Sequence, residues 1–330
     1  MLISKTSPSS ARRAGAGAFL ALIFLVGCTG AAATPSPTTP ASPTPLPTPT
    51  PTPSPTPSPT AGAINHPTDT AAVVLRMESG GGFVPMEFLL TQAPSFTLYG
   101  DGTVIYRPTD TRAGDPFGGQ GMLPYLVGHL DEDGVQALLR FALGEGRLLN
   151  AKPNYENNMV ADAGSTIFTL DAAGVQKVVS IYALAMDDPN LPQDAADRQG
   201  FQKLADQLNT FEARGQNGEL GEITKYDPDF YRVFLMDATG AVPQNPALDW
   251  PWDDLTPADF KTTADDTRPQ ANLDKAHVAE VETVPSGGRS FIYIKAADGG
   301  DKLYSVGIRP LFPDEMASAG SSARFPQSHV

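Results

Sequence analysis

A chain of 330 residues with a formal charge of -14 repels nucleic acid and anionic lipid headgroups, so neither a nucleic-acid partner nor a basic membrane-binding patch is expected. One cysteine, Cys28, excludes an internal disulfide. Twelve of the 32 prolines fall between Thr34 and Thr60, ahead of a mixed remainder of roughly 240 residues, enough for one large or two small domains.

The first segment carries Lys5, Arg12 and Arg13 ahead of an apolar run from Ala14 to Val26. About a dozen apolar residues match a secretory signal, whereas a membrane span needs about 20. The run ends in Leu25-Val26-Gly27-Cys28. This tetrad resembles the lipobox of bacterial lipoproteins, with a Leu, a branched residue and Gly before the cysteine. The resemblance implies a diacylglyceryl thioether on the Cys28 thiol and a cut between Gly27 and Cys28, so that residues 1–28 end at the lipid attachment point. Loss of Lys5, Arg12 and Arg13 takes the formal charge from -14 to -17. Two acyl chains at ~0.8 kcal/mol per buried methylene anchor a protein stably. The expected location is therefore the extracytoplasmic face of a bacterial cell membrane. The competing reading of Cys28 is an incidental thiol after an ordinary secretory signal.

Residues 29–67 read as a disordered tether. From Thr34 to Thr60 the chain is almost only Pro, Thr and Ser, which cannot bury apolar surface and favours polyproline II at ~3.1 Å per residue. Its hydroxyls make it a candidate for O-glycosylation.

The body is placed at residues 68–315, with 316–330 as a flexible tail. Ala72 to Met77 predicts a strand that Gly80-Gly81-Gly82 breaks before Phe83-Val84-Pro85. Phe96 to Tyr99 and Val104 to Tyr106 flank Gly100-Asp101-Gly102, a hairpin turn. Asp131 then caps a helix whose Val135, Leu138, Leu139, Ala142 and Leu143 recur at helical spacing. Thr166 to Leu170 and Val175 to Tyr182 form a second hairpin across Asp171 to Gly174. A second helix runs from Asp194, burying Phe201, Leu204, Ala205, Leu208 and Phe211, and stops near Gly215. Tyr231 to Met236 reads as a strand and Ala271 to Val284 as a helix. Phe291 to Ile294 and Leu303 to Ile308 form a last hairpin across Asp298-Gly299-Gly300. Hairpins followed by helices give an α+β fold, an antiparallel sheet with two to three helices on one face. One continuous sheet and two similar halves both fit this order.

Three stretches, Gly81 to Val84, Pro94 to Val104 and Arg309-Pro310-Leu311-Phe312-Pro313-Asp314-Glu315, resemble landmarks of uncharacterised envelope lipoproteins of actinomycetes and similar bacteria. That likeness implies a shared fold and carries no activity.

Signatures of catalysis and cofactor binding are missing from the sequence: there is no His-Glu-x-x-His, Gly-x-Ser-x-Gly, Walker loop or dinucleotide glycine pattern. No cofactor, metal or catalytic residue is expected. The histidines His66, His129, His277 and His329 are scattered, with His66 and His329 in tails, and read as exposed or singly bonded. Asp131 with Asp133 lacks the closing Glu of a calcium loop and reads as a cap. Trp250 and Trp252, in Asp249-Trp250-Pro251-Trp252-Asp253-Asp254, offer either ring faces for a ligand or a hydrophobic plug. The polar loop from Asn150 to Gly164, with Tyr155 and Asp162, is either a connection or a binding loop. Together with Gly80 to Pro85, these stretches are the candidate recognition surface for a cell-wall component or envelope protein. Binding or display is the leading function, and a hydrolase built on dispersed Asp and Glu residues is the alternative.

Overall fold

The strand Val73–Gly81 (β1) lies at the centre of the larger sheet, antiparallel to Phe96–Tyr99 (β2) on one side and to Gly164–Ala172 (β6) on the other. A computed structural model describes residues 62–83, 91–108, 125–186, 188–243, 246–264, 266–282, 292–296 and 300–319. Leu25 to Cys28, the Thr34 to Thr60 tract, Val84 and Pro85 lie outside them, as do Asp298, Gly299 and His329.

β2 turns into Thr103–Tyr106 (β3) across Asp101-Gly102, as the turn chemistry predicts. Asp101 accepts the backbone N–H and hydroxyl of Thr103, each at 2.9 Å, and Gly102 takes φ +90°. Leu126–His129 (β4) and Thr224–Lys225 (β8) extend the sheet beyond β3. Val175–Tyr182 (β7) pairs with β6. The intervening turn places Ala173 and Gly174 both at positive φ, the combination that matches the twist of a hairpin.

The sheet runs β5-β7-β6-β1-β2-β3-β4-β8, where β5 is Asn154–Tyr155 and pairs in parallel with β7. A second sheet of four strands runs β10-β9-β12-β11, with Phe230–Asp237 (β9), Gln270–Asp274 (β10), Ile292–Lys295 (β11) and Leu303–Pro310 (β12). The class is α+β; the described residues form two sheets of different strand number, and β5 with β7 is the parallel pair among their strands.

Neighbouring residues in β2 and β3 alternate between the faces of the larger sheet. Leu98 and Val104 join a core with Glu132–Leu143 (α1) and Ala195–Asn209 (α2); Tyr99 and Ile105 join a different cluster around Phe312. Helix α1 begins as expected, its Gly134 N–H bonded to Asp131 Oδ1 at 2.8 Å. Helix α2 stops at Asn209, short of the expected Gly215: Thr210 leaves helical backbone at φ -103° and ψ 23°, its hydroxyl bonded back to the Asp206 carbonyl at 2.8 Å. The turn drives Phe211 into the core, 4.7 Å from Phe96, before the short helix Glu212–Gln216 (α3).

Other sequence expectations differ from the structure. β1 continues through Gly80 and Gly81, where glycine faces glycine across the ladder at Gly81 and Gly164. Ala271 to Val284 is not one helix: residues 270–274 pair with β9, and the helix Lys275–Glu282 (α4) starts only where Asp274 Oδ1 takes the N–H groups of Ala276 and His277. Residues 62–67 are held by the body, since Ile64 exchanges two hydrogen bonds with the Gln136 side chain, at 2.7 and 2.8 Å. His66 follows with a 5 % exposed side chain, so it belongs to the fold and not to a tail. At the other end, Pro313–Ala319 (α5) carries helix past residue 315.

Candidate functional site

Of the residues singled out in the sequence, Cys28 lies outside the described ones, and the other four do not converge. Tyr155 packs in the core of the larger sheet, whereas Trp250 and Trp252 pack in that of the smaller. Tyr155 is 1 % exposed. Its ring stands edge-on to Phe201 at 4.8 Å and its hydroxyl donates to Asp197 Oδ2 at 2.9 Å. Burial, opposed by the Lys152 N–H and reinforced by Asp197, pushes the phenol up to about 12. The loop around it is tied down: Asn157 is buried and donates to the Met186 carbonyl, and Asp188 accepts the Asn158 N–H. Asp162 is exposed, with φ +59°, and its carbonyl accepts the Phe83 N–H at 3.0 Å.

The tryptophans meet edge-on at 5.3 Å. Trp252 is 2 % exposed and donates from Nε1 to the His277 carbonyl at 3.0 Å. Trp250 is half-buried and donates to the Leu255 carbonyl at 2.8 Å. With Phe260, Val278 and Val281 they fill the space between the loop and α4, the position of a plug. Neither Trp252 nor Tyr155 turns a ring face to solvent.

The charged cluster with the most elaborate geometry includes Arg309, Asp314 and Glu315, a stretch the sequence marks as a landmark and not as a candidate site. β12 runs through Arg309 into Leu311, Phe312 and α5, and this turn lies on the face of the larger sheet opposite α1 and α2. Phe312 is fully buried, edge-on to Tyr125 at 5.2 Å and to Tyr226 at 5.6 Å. Asp314 Oδ1 accepts from both Arg76 Nη2 and the Tyr99 hydroxyl, each at 2.7 Å. Glu315 receives Arg309 through two bonds, at 2.9 and 2.6 Å, and Arg232 at 3.4 Å. Arg232 and Arg309 are direct partners in the β9–β12 ladder, so two adjacent guanidinium groups share this carboxylate.

Electrostatics follow the pairing. Burial would raise the Glu315 carboxyl, but the bonds and charge of Arg309, with Arg232 behind it, bring it down to about 2. Arg76 is lowered by burial and raised by Asp314, and the net effect holds it above its ordinary value. On the same strand, burial pushes the Glu78 carboxyl up against the pull of Arg76 and Arg309. Asp314 on Arg76 and Glu315 on Arg309 and Arg232 make the cluster a clamp that holds α5 on the sheet.

No family model, curated protein or solved structure matches the chain. Among the described residues, no group of three or more His, Cys, Asp or Glu could hold a metal ion, and no helix is long and apolar enough to cross a membrane.

One more polar group departs from the sequence reading. His277, expected to be exposed or singly bonded, lies between two carboxylates, with Nδ1 2.8 Å from Asp274 Oδ1 and Nε2 3.2 Å from Asp254 Oδ2. A local signal existed only for the first contact, since Asp three residues before His is a helix-start spacing.

Proposed function

We propose that this chain is a lipid-anchored protein of the extracytoplasmic face of a bacterial cell membrane, and that its folded part works by binding or display at the envelope. The observation that carries this reading is Leu25-Val26-Gly27-Cys28, placed where the apolar run ends and the Pro/Thr/Ser tract begins. A thioether-linked diacylglyceryl group on Cys28 supplies the membrane hold that the acidic remainder of the chain, at -17 once Lys5, Arg12 and Arg13 are removed from the total of -14, does not. The Pro-rich tract then sets the body away from the bilayer, toward a cell-wall component or an envelope protein. Binding is placed ahead of hydrolysis in this reading because Asp314, Glu315 and Asp194 are each engaged by a cation, at 2.6 to 2.9 Å; Glu78, which burial pushes up, is the carboxylate of the cluster that a hydrolase reading would call on.

The test is growth of cells expressing the full chain with a labelled fatty acid, followed by fractionation. The wild type should carry label in the membrane fraction. Cys28→Ser should carry none and should appear in the medium or as uncut precursor. A Cys28→Ser protein that remains labelled and membrane-bound would overturn the anchor.

A further inference from the structure

Both ring nitrogens of His277 face carboxylate oxygens, Asp274 Oδ1 at 2.8 Å and Asp254 Oδ2 at 3.2 Å. Only the imidazolium, with a proton on each nitrogen, satisfies both contacts; a neutral ring sets a bare lone pair against one of them. The two carboxylates have different duties. Asp274 also accepts the first N–H groups of α4 and is fixed in place. Asp254 has a 69 % exposed side chain and belongs to the tryptophan loop.

That loop is tied to α4 twice at the same residue. One tie is the bond from Trp252 Nε1 to the His277 carbonyl, which does not depend on the charge of the ring. The other is Asp254 on the ring itself. Leu255, next to Asp254, accepts the Trp250 indole N–H, so a shift of Asp254 and Leu255 reaches Trp250 through that bond, against the hold of Trp252, Phe260 and Tyr304 on its ring.

We propose that His277 is a pH-operated latch, closed while its ring is charged and releasing the outer half of the tryptophan loop, with Asp254, Leu255 and Trp250, when the proton leaves. The surrounding charges favour the closed form. β10 contributes Asp274 and the loop contributes Asp254, with Asp253 beside it. On α4, Glu280 follows one turn on from the ring, and Lys275 is engaged by Asp227 at 2.7 Å. Arg232 of β9 is held by Glu315, and Lys295 of β11 by Asp249. Bonds to Asp274, then to Asp254, hold the imidazole above the ordinary histidine value against a smaller opposing effect of burial. A group raised on folding stabilises the closed state fully below its unfolded value and ceases to do so as pH rises through the folded one. The latch therefore opens on the alkaline side.

Both tryptophans of the chain lie in this loop, so the fluorescence of the full-length protein reports on it alone. Emission and acrylamide quenching would be followed between about pH 5 and about pH 9. The expected result is a red shift and readier quenching in one reversible, single-proton step above about pH 6.5, the ordinary histidine value. His277→Gln should abolish the step, and Asp254→Asn, a surface change that leaves the core intact, should move its midpoint down. A flat wild-type profile, a step unchanged in His277→Gln, or a midpoint unmoved in Asp254→Asn would each overturn the latch. Circular dichroism identifies a variant that fails to fold, in which case the Asp254→Asn midpoint decides.

Discussion

Arg309 and Glu315, six residues apart, meet as a two-bonded fork at 2.9 and 2.6 Å where β12 turns into α5. Glu315 also accepts the Phe312 N–H at 3.1 Å, the reciprocal half of a capping box, so one carboxylate sets the start of the helix and neutralises the strand before it. Removing it leaves the Arg309 guanidinium, only 11 % exposed, without its partner. Glu315→Ala should therefore cost roughly 3 kcal/mol, read as a lower urea midpoint at unchanged slope. A loss under about 0.5 kcal/mol, the level of a neutral surface change, would mean that the fork carries no stability.

The same pair sets the acid limit. A carboxyl at about 2 in the folded state, against 4.5 as its ordinary value, contributes stability that is complete above the unfolded value and is lost as pH falls through the folded one. The wild type should lose up to about 3 kcal/mol from this group between those limits, and Glu315→Gln, which has no proton to gain there, should lose less. Urea unfolding at a series of acidic pH values measures both slopes. Parallel slopes in the two proteins would contradict the assignment.

Two glycines at positive φ separate backbone strain from collision. Gly174, at φ +73°, has open space where a Cβ would point, whereas at Gly102, at φ +90°, the Cβ would meet the Leu130 carbonyl at 2.3 Å. Gly174→Ala should cost about 1 kcal/mol. Gly102→Ala should cost at least about 2 kcal/mol more, because the Leu130 N–H bond to the Gly102 carbonyl must also shift. Thermal unfolding of both variants is the check, and equal losses would show that the contact with Leu130 relaxes freely.

Each face of the larger sheet can be tested by truncation. Leu139 is fully buried beneath α1, and Phe312 is fully buried on the other face. Leu139→Ala should lower stability by roughly 2 to 5 kcal/mol and Phe312→Ala by roughly 3 to 5 kcal/mol. If denaturant titration finds Phe312→Ala nearly neutral, the turn from β12 to α5 is not anchored by its ring.

The readable parts of this fold are those whose cause is local. Asp101-Gly102 dictates a turn through its own dihedral angles, and Asp131 with the apolar spacing of α1 marks both an end and a face. The clamp is different in kind. Arg76 and Asp314 are separated by 238 positions, and neither carries a mark of the other in its neighbours. Asp274 misled for a related reason: a strand that runs straight into a helix has no break in its apolar pattern, and only the cap marks the change. Tyr155 sits among polar residues and gains its burial from a two-residue parallel pairing with β7, too short to leave a period of two. His277 pairs once within its own helix turn and once 23 residues away, and only the nearer partner has a recognisable spacing.

The central claim concerns Cys28, and mass spectrometry of the N-terminal peptide from membrane-extracted protein tests it most directly. The account predicts a chain that begins at Cys28, with the mass of a diacylglyceryl group on its sulfur. A peptide that begins elsewhere, or one that begins at Cys28 with an unmodified thiol, would contradict it.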